Sequence, residues 1–348
     1  MSVGVLDRAG DAAADGWNHG RIDAIRDVTP TIREFTIALD RVPTCAPGSH
    51  LKVQVAAEGR SDHRSYSVVG ATGTTIRIAV KRQPDSRGGS AYMWTLSIGD
   101  AIAVAAPRCD FPLTHGAPHY LLLAGGVGIT PMVAMAEQLA KRGASLRMVY
   151  AARSAEEFAY RLELSELLGD RLALFAADES QSVNIATEID RLPADGELYM
   201  CGPLGLMEAV RHAWEAAGRP RGKLRYETFG SSGSHPVQSF TVKVPRLNAE
   251  ILVRENESML DALEAAGVEV VFECRRGECG LCAIQIVELE GVVDHRDVFF
   301  SARQHRENTQ LCACVSRIAG GSVTIDPAWR GDDAFAFAST NTIDGEHV

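Results

Sequence analysis

The alternation of apolar and polar positions changes character twice along the chain. Between 16 and 118 it runs in short stretches: IREFTIAL (32–39), HLKVQVA (50–56), RSYSVVG (64–70) and TIRIAVK (75–81), separated by PGS, ATGT and DSRGGS. Alternation at period two with turn residues between the runs predicts antiparallel strands and a small barrel. From His119 the texture is different. YLLLA (120–124) is continuously apolar, as a parallel strand covered on both faces is. It runs into a glycine loop and then a helix on which Met132, Met135, Ala136 and Leu139 share one face. Thr130 is the expected N-cap, Pro131 the first helical residue and Gly143 the stop. LRMVYAA (146–152), RLALFAA (171–177) and GELYMCG (196–202) are further strands, so 119–230 reads as an α/β domain with a parallel sheet.

The run SSGSHP supplies a flexible linker over 231–236. A third unit, 237–330, opens on a hairpin made of SFTVKVP and EILVRE. A helix follows, with Ser258 and Asp261 as a capping box and Gly267 as its stop. The last stretch, 331–348, carries four acids and reads as a solvated acidic tail. No internal repeat is visible.

Composition narrows the function classes. The net charge is −10 and the pI about 5.5, the wrong sign for a chain that neutralises nucleic-acid phosphates. The longest nearly apolar stretch, 120–136, is interrupted by Gly125, Gly126, Gly128 and Pro131, so it does not read as a bilayer span of about 20 apolar residues. The N-terminus lacks a basic segment followed by an apolar core, so a cytoplasmic protein is expected. Eight cysteines there are not a disulfide framework. Five of them, Cys274, Cys279, Cys282, Cys312 and Cys314, crowd into the third unit, which calls for a metal.

Cys274, Cys279 and Cys282 have the spacing C-x4-C-x2-C, by which plant-type 2Fe–2S clusters take three thiolates from one loop. Gly277 and Gly280 let the backbone pass close to the sulfurs and aim N–H groups at them. A structural zinc site is the alternative reading of clustered thiolates. The fourth ligand is Cys312 or Cys314; on one strand the two face the same side, so spacing alone does not choose.

At this point the chain resembles, over about 310 residues, the phthalate dioxygenase reductase and vanillate O-demethylase reductase family. The motifs that carry the likeness occur in order: RSYS (64–67), KRQPDSRGGS (81–90), GGVGITPM (125–132), CGP (201–203), YETF (226–229), CRRGECGLC (274–282) and CVSR (314–317). The resemblance implies a flavin-binding antiparallel β-barrel (16–118), an NAD-binding α/β domain (119–230) and a C-terminal β-grasp 2Fe–2S ferredoxin domain (237–330). It also favours Cys314, because the family's last cysteine precedes VSR-like residues.

The same resemblance distributes roles. Arg64 supports the ribityl or phosphate side of the flavin, Ser65 and Tyr66 line it with Tyr66 against the isoalloxazine, and Ser67 hydrogen-bonds near N5. Val80, Lys81, Arg87, Gly88, Gly89 and Ser90 complete the flavin site. The glycines there open a short helix whose free N–H groups suit a phosphate. A phosphate held directly, with no added segment for an adenosine, favours FMN over FAD. RSYS taken alone is an amphipathic strand, and RGGS a turn.

For the nicotinamide nucleotide, Gly125, Gly126, Val127, Gly128, Thr130 and Pro131 form a glycine-rich turn between a strand and a helix, where an open α/β sheet binds a pyrophosphate. The resemblance sets Cys201, with Gly202 and Pro203, near nicotinamide C4, and Phe229 near the flavin; packing roles are the plain alternatives for both. Arg153 and Asp178 follow later strands and face the adenosine ribose. One arginine without further basic residues favours NADH over NADPH.

The function that follows is electron transfer from NADH through FMN and a 2Fe–2S cluster to a separate oxygenase. The implied partner is of Rieske or cytochrome P450 type and acts on an aromatic substrate. A stand-alone flavin or ferric reductase is the alternative enzyme, and a redox-sensing or zinc-stabilised binding protein the alternative without turnover. Residues 238–330 hold ten basic and fourteen acidic side chains, and the tail adds four acids. The expected docking surface is acidic and sensitive to salt.

Overall fold

The structure is a computed structural model that describes residues 17–57, 60–83, 88–229, 233, 235–255 and 257–327. Arg87, most of the linker and the acidic tail lie outside the described residues. The chain divides into two compact units, separated between Phe229 and Gly230.

The first unit begins with seven strands: β1 (Trp17–Asp27), β2 (Ile32–Leu39), β3 (Ser49–Ala57), β4 (Arg60–Thr72), β5 (Thr75–Lys81), β6 (Ala101–Ala105) and β7 (Arg108–Cys109). They pair antiparallel in the order β4-β5-β2-β1-β6-β3, and β3 pairs back with β4, which closes a six-stranded barrel; β7 extends β3. The alternation predicts the inward side. Phe35, Ile37, Leu51, Val53, Ile76 and Ile78 are fully buried in the barrel core. Helix α1 (Gly89–Thr95) inserts Met93 into that core.

Five parallel strands follow: β8 (His119–Gly125), β9 (Ser145–Ala152), β10 (Leu172–Ala176), β11 (Glu197–Cys201) and β12 (Leu224–Glu227), in the order β10-β9-β8-β11-β12. Helices α2 (Ile129–Lys141), α3 (Arg161–Leu168), α4 (Ile185–Arg191) and α5 (Leu204–Ala216) connect them. The order reverses between β8 and β11, which places a topological switch point at the carboxyl ends of those two strands.

Met132, Met135, Ala136 and Leu139 of α2 are buried as the periodicity predicts. Burying each of the larger three against the sheet is worth roughly 1.5–3 kcal/mol. The cap differs from expectation. Residues Gly126–Gly128 form a 3-10 turn that leads directly into α2, so Gly128 occupies the capping position. Thr130 lies within the first turn, and its Oγ1 donates back to the Val127 carbonyl at 3.0 Å. Gly143, at φ +67°, ends the helix as predicted.

Ile32, Val69 and Ala79 of the barrel belong to the same apolar cluster as Leu122, Met132 and Tyr150, so barrel and parallel sheet share one core.

The second unit is a mixed sheet of β13 (Phe240–Val244), β14 (Ala249–Val253), β15 (Ala283–Asp294), β16 (Gln310–Cys312) and β17 (Arg317–Asp326), in the order β14-β13-β17-β15-β16. Only β13 and β17 run parallel, as in a β-grasp. Helix α6 (Met259–Ala265) starts at the capping box of Ser258 and Asp261, and Gly267 follows it at φ +77°. Its Leu260 and Leu263 are buried with Val242, Ile284 and Leu311. Helix α7 (Ala302–Glu307) precedes β16. One expectation is corrected here. Cys312 and Cys314 do not share a strand: β16 ends at Cys312, and the chain turns through 313–315, where the Val315 and Ser316 N–H groups return to the Cys312 carbonyl. The turn, and not strand alternation, separates the two thiols.

Candidate redox site

In the barrel, β4 brings Arg64 to α1. A Cβ on Gly89 would lie 2.5 Å from Arg64 Cγ, so only glycine admits the arginine stem at the helix start. Arg64 Nη1 donates to Asp62 Oδ2 at 2.5 Å and to the His63 carbonyl at 2.8 Å. Gly88, at φ +84°, precedes the helix, and Ser90 Oγ accepts from Gln83 N at 3.2 Å. Ser65 is exposed and Tyr66 half-buried, and burial pushes the Tyr66 hydroxyl above its usual range.

Ser67 is buried, and its Oγ finds no hydrogen-bond partner among the described residues. A hydroxyl left so, within the strand that carries Arg64 and Tyr66, fits a flavin whose polar ring edge completes it. Lys81 is half-buried at the end of β5. Val80 points elsewhere: its side chain is in the barrel core, and its carbonyl accepts from Trp94 Nε1 at 3.2 Å.

At the switch point the two expected loops meet. A Cβ on Gly128 would fall 2.2 Å from the Cys201 carbonyl oxygen, one on Gly125 2.7 Å from Pro203 Cδ, and one on Gly202 3.0 Å from Gly125 N. Turns 125–128 and 201–203 therefore touch through glycines at the carboxyl edge, where a nucleotide pyrophosphate binds in such sheets. Val127 is half-buried there, and Thr130 and Pro131 are buried just inside α2. Cys201 is fully buried at the end of β11.

Arg153 follows β9 and Asp178 follows β10; both are exposed, and Asp178 N donates to the Arg153 carbonyl at 3.0 Å. Phe229 is half-buried against the shared core. Glu227 is the residue the sequence reading passed over. It is 2 % exposed, in register with Cys201 on the neighbouring strand, and its charge helps raise the Cys109 thiol after burial, the leading cause. Strand alternation in the motif YETF does not reveal a buried acid.

In the second unit the chain from 274 to 282 wraps a set of sulfurs. Gly277 and Gly280 adopt φ +74° and +72°. A Cβ on Gly277 would be 2.8 Å from Asp297 Cα, and one on Gly280 2.3 Å from the Phe299 ring, so segment 297–299 lies directly on the loop. Arg275 ties the loop to α6 through Asp261 Oδ1 at 2.6 Å and Glu264 Oε2 at 2.5 Å.

Cys274 Sγ accepts from the N–H groups of Arg276, Glu278 and Cys279, each at 3.4 Å. Cys282 and Cys314 sulfurs are 3.2 Å apart. A hydrogen bond from Cys314, aided by those N–H groups, holds the Cys274 thiol down at about 4. Bonds from Cys312 and Cys314 hold Cys282 at about 3. Cys314 thus hydrogen-bonds both Cys274 and Cys282, whereas Cys312 hydrogen-bonds Cys282 and meets Cys274 only through charge; both lie in the apolar cluster, Cys312 the more deeply.

Cys274 and Cys282 favour their anions, whereas burial pushes Cys279 up and donation to Cys274 and Cys282 pushes Cys314 up. N–H donors aimed at the Cys274 sulfur fit a ligated cluster. Tetrahedral zinc with bonds of about 2.3 Å would gather four sulfurs to within ~3.8 Å of one another. Among the described residues no three of these sulfurs lie mutually within 4.8 Å.

Comparison with known proteins finds a match in each unit. Residues 242–319 match the 2Fe-2S iron-sulfur cluster binding domain, and residues 122–212 the oxidoreductase NAD-binding domain. The chain is 36 % identical over 311 residues to the heme-dependent oxidative N-demethylase beta subunit of Ectopseudomonas mendocina, covering 88 % of this chain and 97 % of that one. It is 33 % identical over 295 residues to phthalate dioxygenase reductase of Burkholderia cepacia, covering 82 % and 88 %. The solved structure of a phthalate dioxygenase reductase superposes with a TM-score of 0.71 at 30 % identity, over 90 % of this chain and 98 % of that one. Likeness of that extent, on a barrel, a nucleotide sheet and a thiolate loop in the same order, places this chain in the phthalate dioxygenase reductase family, as an NADH-dependent FMN and 2Fe–2S reductase component of an oxygenase system.

Proposed function

We propose that this reductase serves a terminal oxygenase of Rieske or cytochrome P450 type acting on an aromatic substrate, in the cytoplasm, and that its work divides among domains at 16–118, 119–230 and 237–330. The observation that carries the reading is the pairing of a glycine-lined nucleotide edge, ending on buried Cys201, with a thiolate loop in the same chain. When bound, FMN takes a hydride from NADH and yields electrons singly, and the 2Fe–2S cluster passes them on one at a time.

The residues supply position and electrostatics. Arg64 with Gly88, Gly89 and Ser90 binds the flavin phosphate end, joined by Lys81 and by Arg87, and Tyr66 with Phe229 excludes water from its ring. Ser67 Oγ, buried and without a partner among the described residues, donates or accepts at the ring's polar edge. The touching turns 125–128 and 201–203 hold the pyrophosphate, and Cys201 closes the reacting end. Arg153 and Asp178 orient the adenosine ribose; the carboxylate beside it disfavours a 2′-phosphate. Cys274, Cys279, Cys282 and Cys314 ligate the irons, and the N–H groups of 276, 278 and 279 draw charge from the Cys274 sulfur. An acidic ferredoxin face meets a basic patch on the oxygenase.

The test is anaerobic mixing of the loaded protein with NADH, followed by a Rieske or a P450 oxygenase. Flavin bleaching, then loss of cluster absorbance, then reduction of one acceptor class at a rate that falls with added salt is expected. Acceptor reduction that ignores ionic strength contradicts the charged docking, and reduction of neither class contradicts the partner.

A further inference from the structure

Barrel and nucleotide sheet share an apolar core, yet a buried charge also crosses between them. Glu34 leaves β2 with its side chain only 7 % exposed. Its Oε2 accepts from the Tyr160 hydroxyl at 2.9 Å and from Arg77 Nη1 at 3.1 Å, and its Oε1 lies 3.4 Å from Arg26 Nε. Arg26 and Arg77 belong to the barrel, whereas Tyr160 caps α3 on the nucleotide side.

The tie is reinforced on both flanks. Arg26 Nη1 donates to Glu163 at 2.6 Å and its guanidinium stands 5.5 Å from the Tyr160 ring centre, while Thr31 Oγ1 donates to Glu157 at 2.6 Å. Tyr160 is buried and held at φ +60°, a left-handed conformation that a bulky residue keeps only where its surroundings over-determine it. From the sheet side, Tyr150 of β9 accepts from Ala159 N at 3.2 Å and stacks edge-on against Phe158 at 5.0 Å.

A buried ionised cluster is a poor device for stability, because apolar residues of similar volume often serve as well or better. What it adds is direction: apolar surfaces slide, but a carboxylate with three donors accepts one arrangement. The segment it holds, 153–160, begins at Arg153, on the carboxyl edge that carries turns 125–128 and 201–203.

We propose that Glu34 and Tyr160 are a positioning pair that locks the nucleotide-binding edge onto the flavin barrel, and so sets the register of nicotinamide against flavin. This rests on the reductase reading above. Neither residue touches the reacting atoms; an ångström of play at the edge is enough to spoil an attack geometry.

The test uses the loaded full chain with Tyr160→Phe, Glu34→Gln and the double variant. At saturating NADH the limiting rate of flavin reduction should fall on the order of tenfold in each single variant. The double variant should lose no more than either single one, because the pair acts as a unit. Reduction by dithionite and the flavin midpoint potential should not change. In the same proteins, spin labels placed through non-natural side chains at Thr95 and Ser165 should give a broader distance distribution than in the parent. A limiting rate within twofold of the parent, or an unbroadened distribution, overturns the proposal even if thermal stability drops. Tyr160→Phe removes a single hydroxyl, so it remains informative if Glu34→Gln does not fold. A parent protein that NADH does not reduce would instead refute the reductase reading itself.

Discussion

Exchanging Cys312 or Cys314 for serine separates a ligand from a core residue, and the two changes should have opposite signatures. Cys312 is fully buried between apolar neighbours, in register with Ala283 on β15. A serine there buries a hydroxyl among them at a cost of about 1–3 kcal/mol. In a domain of about a hundred residues each kcal/mol lowers Tm by roughly 4–8 °C. Cys312→Ser should therefore melt roughly 5–20 °C earlier, by the same magnitudes, yet keep its full complement of iron and the parent EPR spectrum of the reduced cluster.

Cys314 stands 3.2 Å from Cys282 and also reaches Cys274, in a turn that holds its sulfur over the loop. Cys314→Ser should lose the cluster or shift its EPR signature, with iron and acid-labile sulfide counted on the same sample. Loss of the cluster in Cys312→Ser with an unchanged spectrum in Cys314→Ser would refute the ligand assignment, and with it the reasoning from the turn at 313–315.

Three further outcomes are expected. Cys279→Ser should leave NADH-to-flavin reduction near the parent rate and abolish delivery to a one-electron protein acceptor; equal loss of both, with the fold intact, would break the linear order of carriers. Ser67→Ala removes a single neutral hydrogen bond worth about 0.5–1.5 kcal/mol, so stopped-flow flavin reduction should slow by roughly 2- to 12-fold with NADH affinity little changed; an unaltered rate would show that the buried hydroxyl faces something other than the flavin. Asp297 governs the acid limb of stability in the second unit. Burial, the largest influence on its carboxyl, pushes it up, but hydrogen bonds from His295, His305 and the Phe300 N–H together pull it well below the usual range. A depressed carboxyl stabilises fully above its unfolded value of about 3.9 and loses that contribution as the pH falls below it. Urea midpoints of the parent should drop steeply below about pH 4, and those of Asp297→Asn should be lower at neutral pH and flatter in acid; a variant with the parent's acid limb would contradict this.

Much of this protein was legible without its fold. Strand alternation in the barrel, the apolar run of β8 and the helical face of α2 all depend on period, and period is a local property. The loop 274–282 was equally open to reading, because a cluster that takes three ligands from one loop leaves its spacing in the chain.

What tertiary structure decided lies wherever the partner is distant in sequence. Thr130 looked like a cap because Ser, Thr, Asp and Asn usually are, but the 3-10 turn at 126–128 started the helix sooner. Cys312 and Cys314 were inseparable by spacing, and only the return of the chain after β16 told them apart. Glu227 reads as an ordinary charged residue until β11 and β12 set it beside Cys201, and Glu34 as a surface acid until Tyr160, 126 positions away, reaches it. Periodicity records which face of an element is covered, but a hydrogen bond between elements leaves no period, and it exists only once the chain has closed around it.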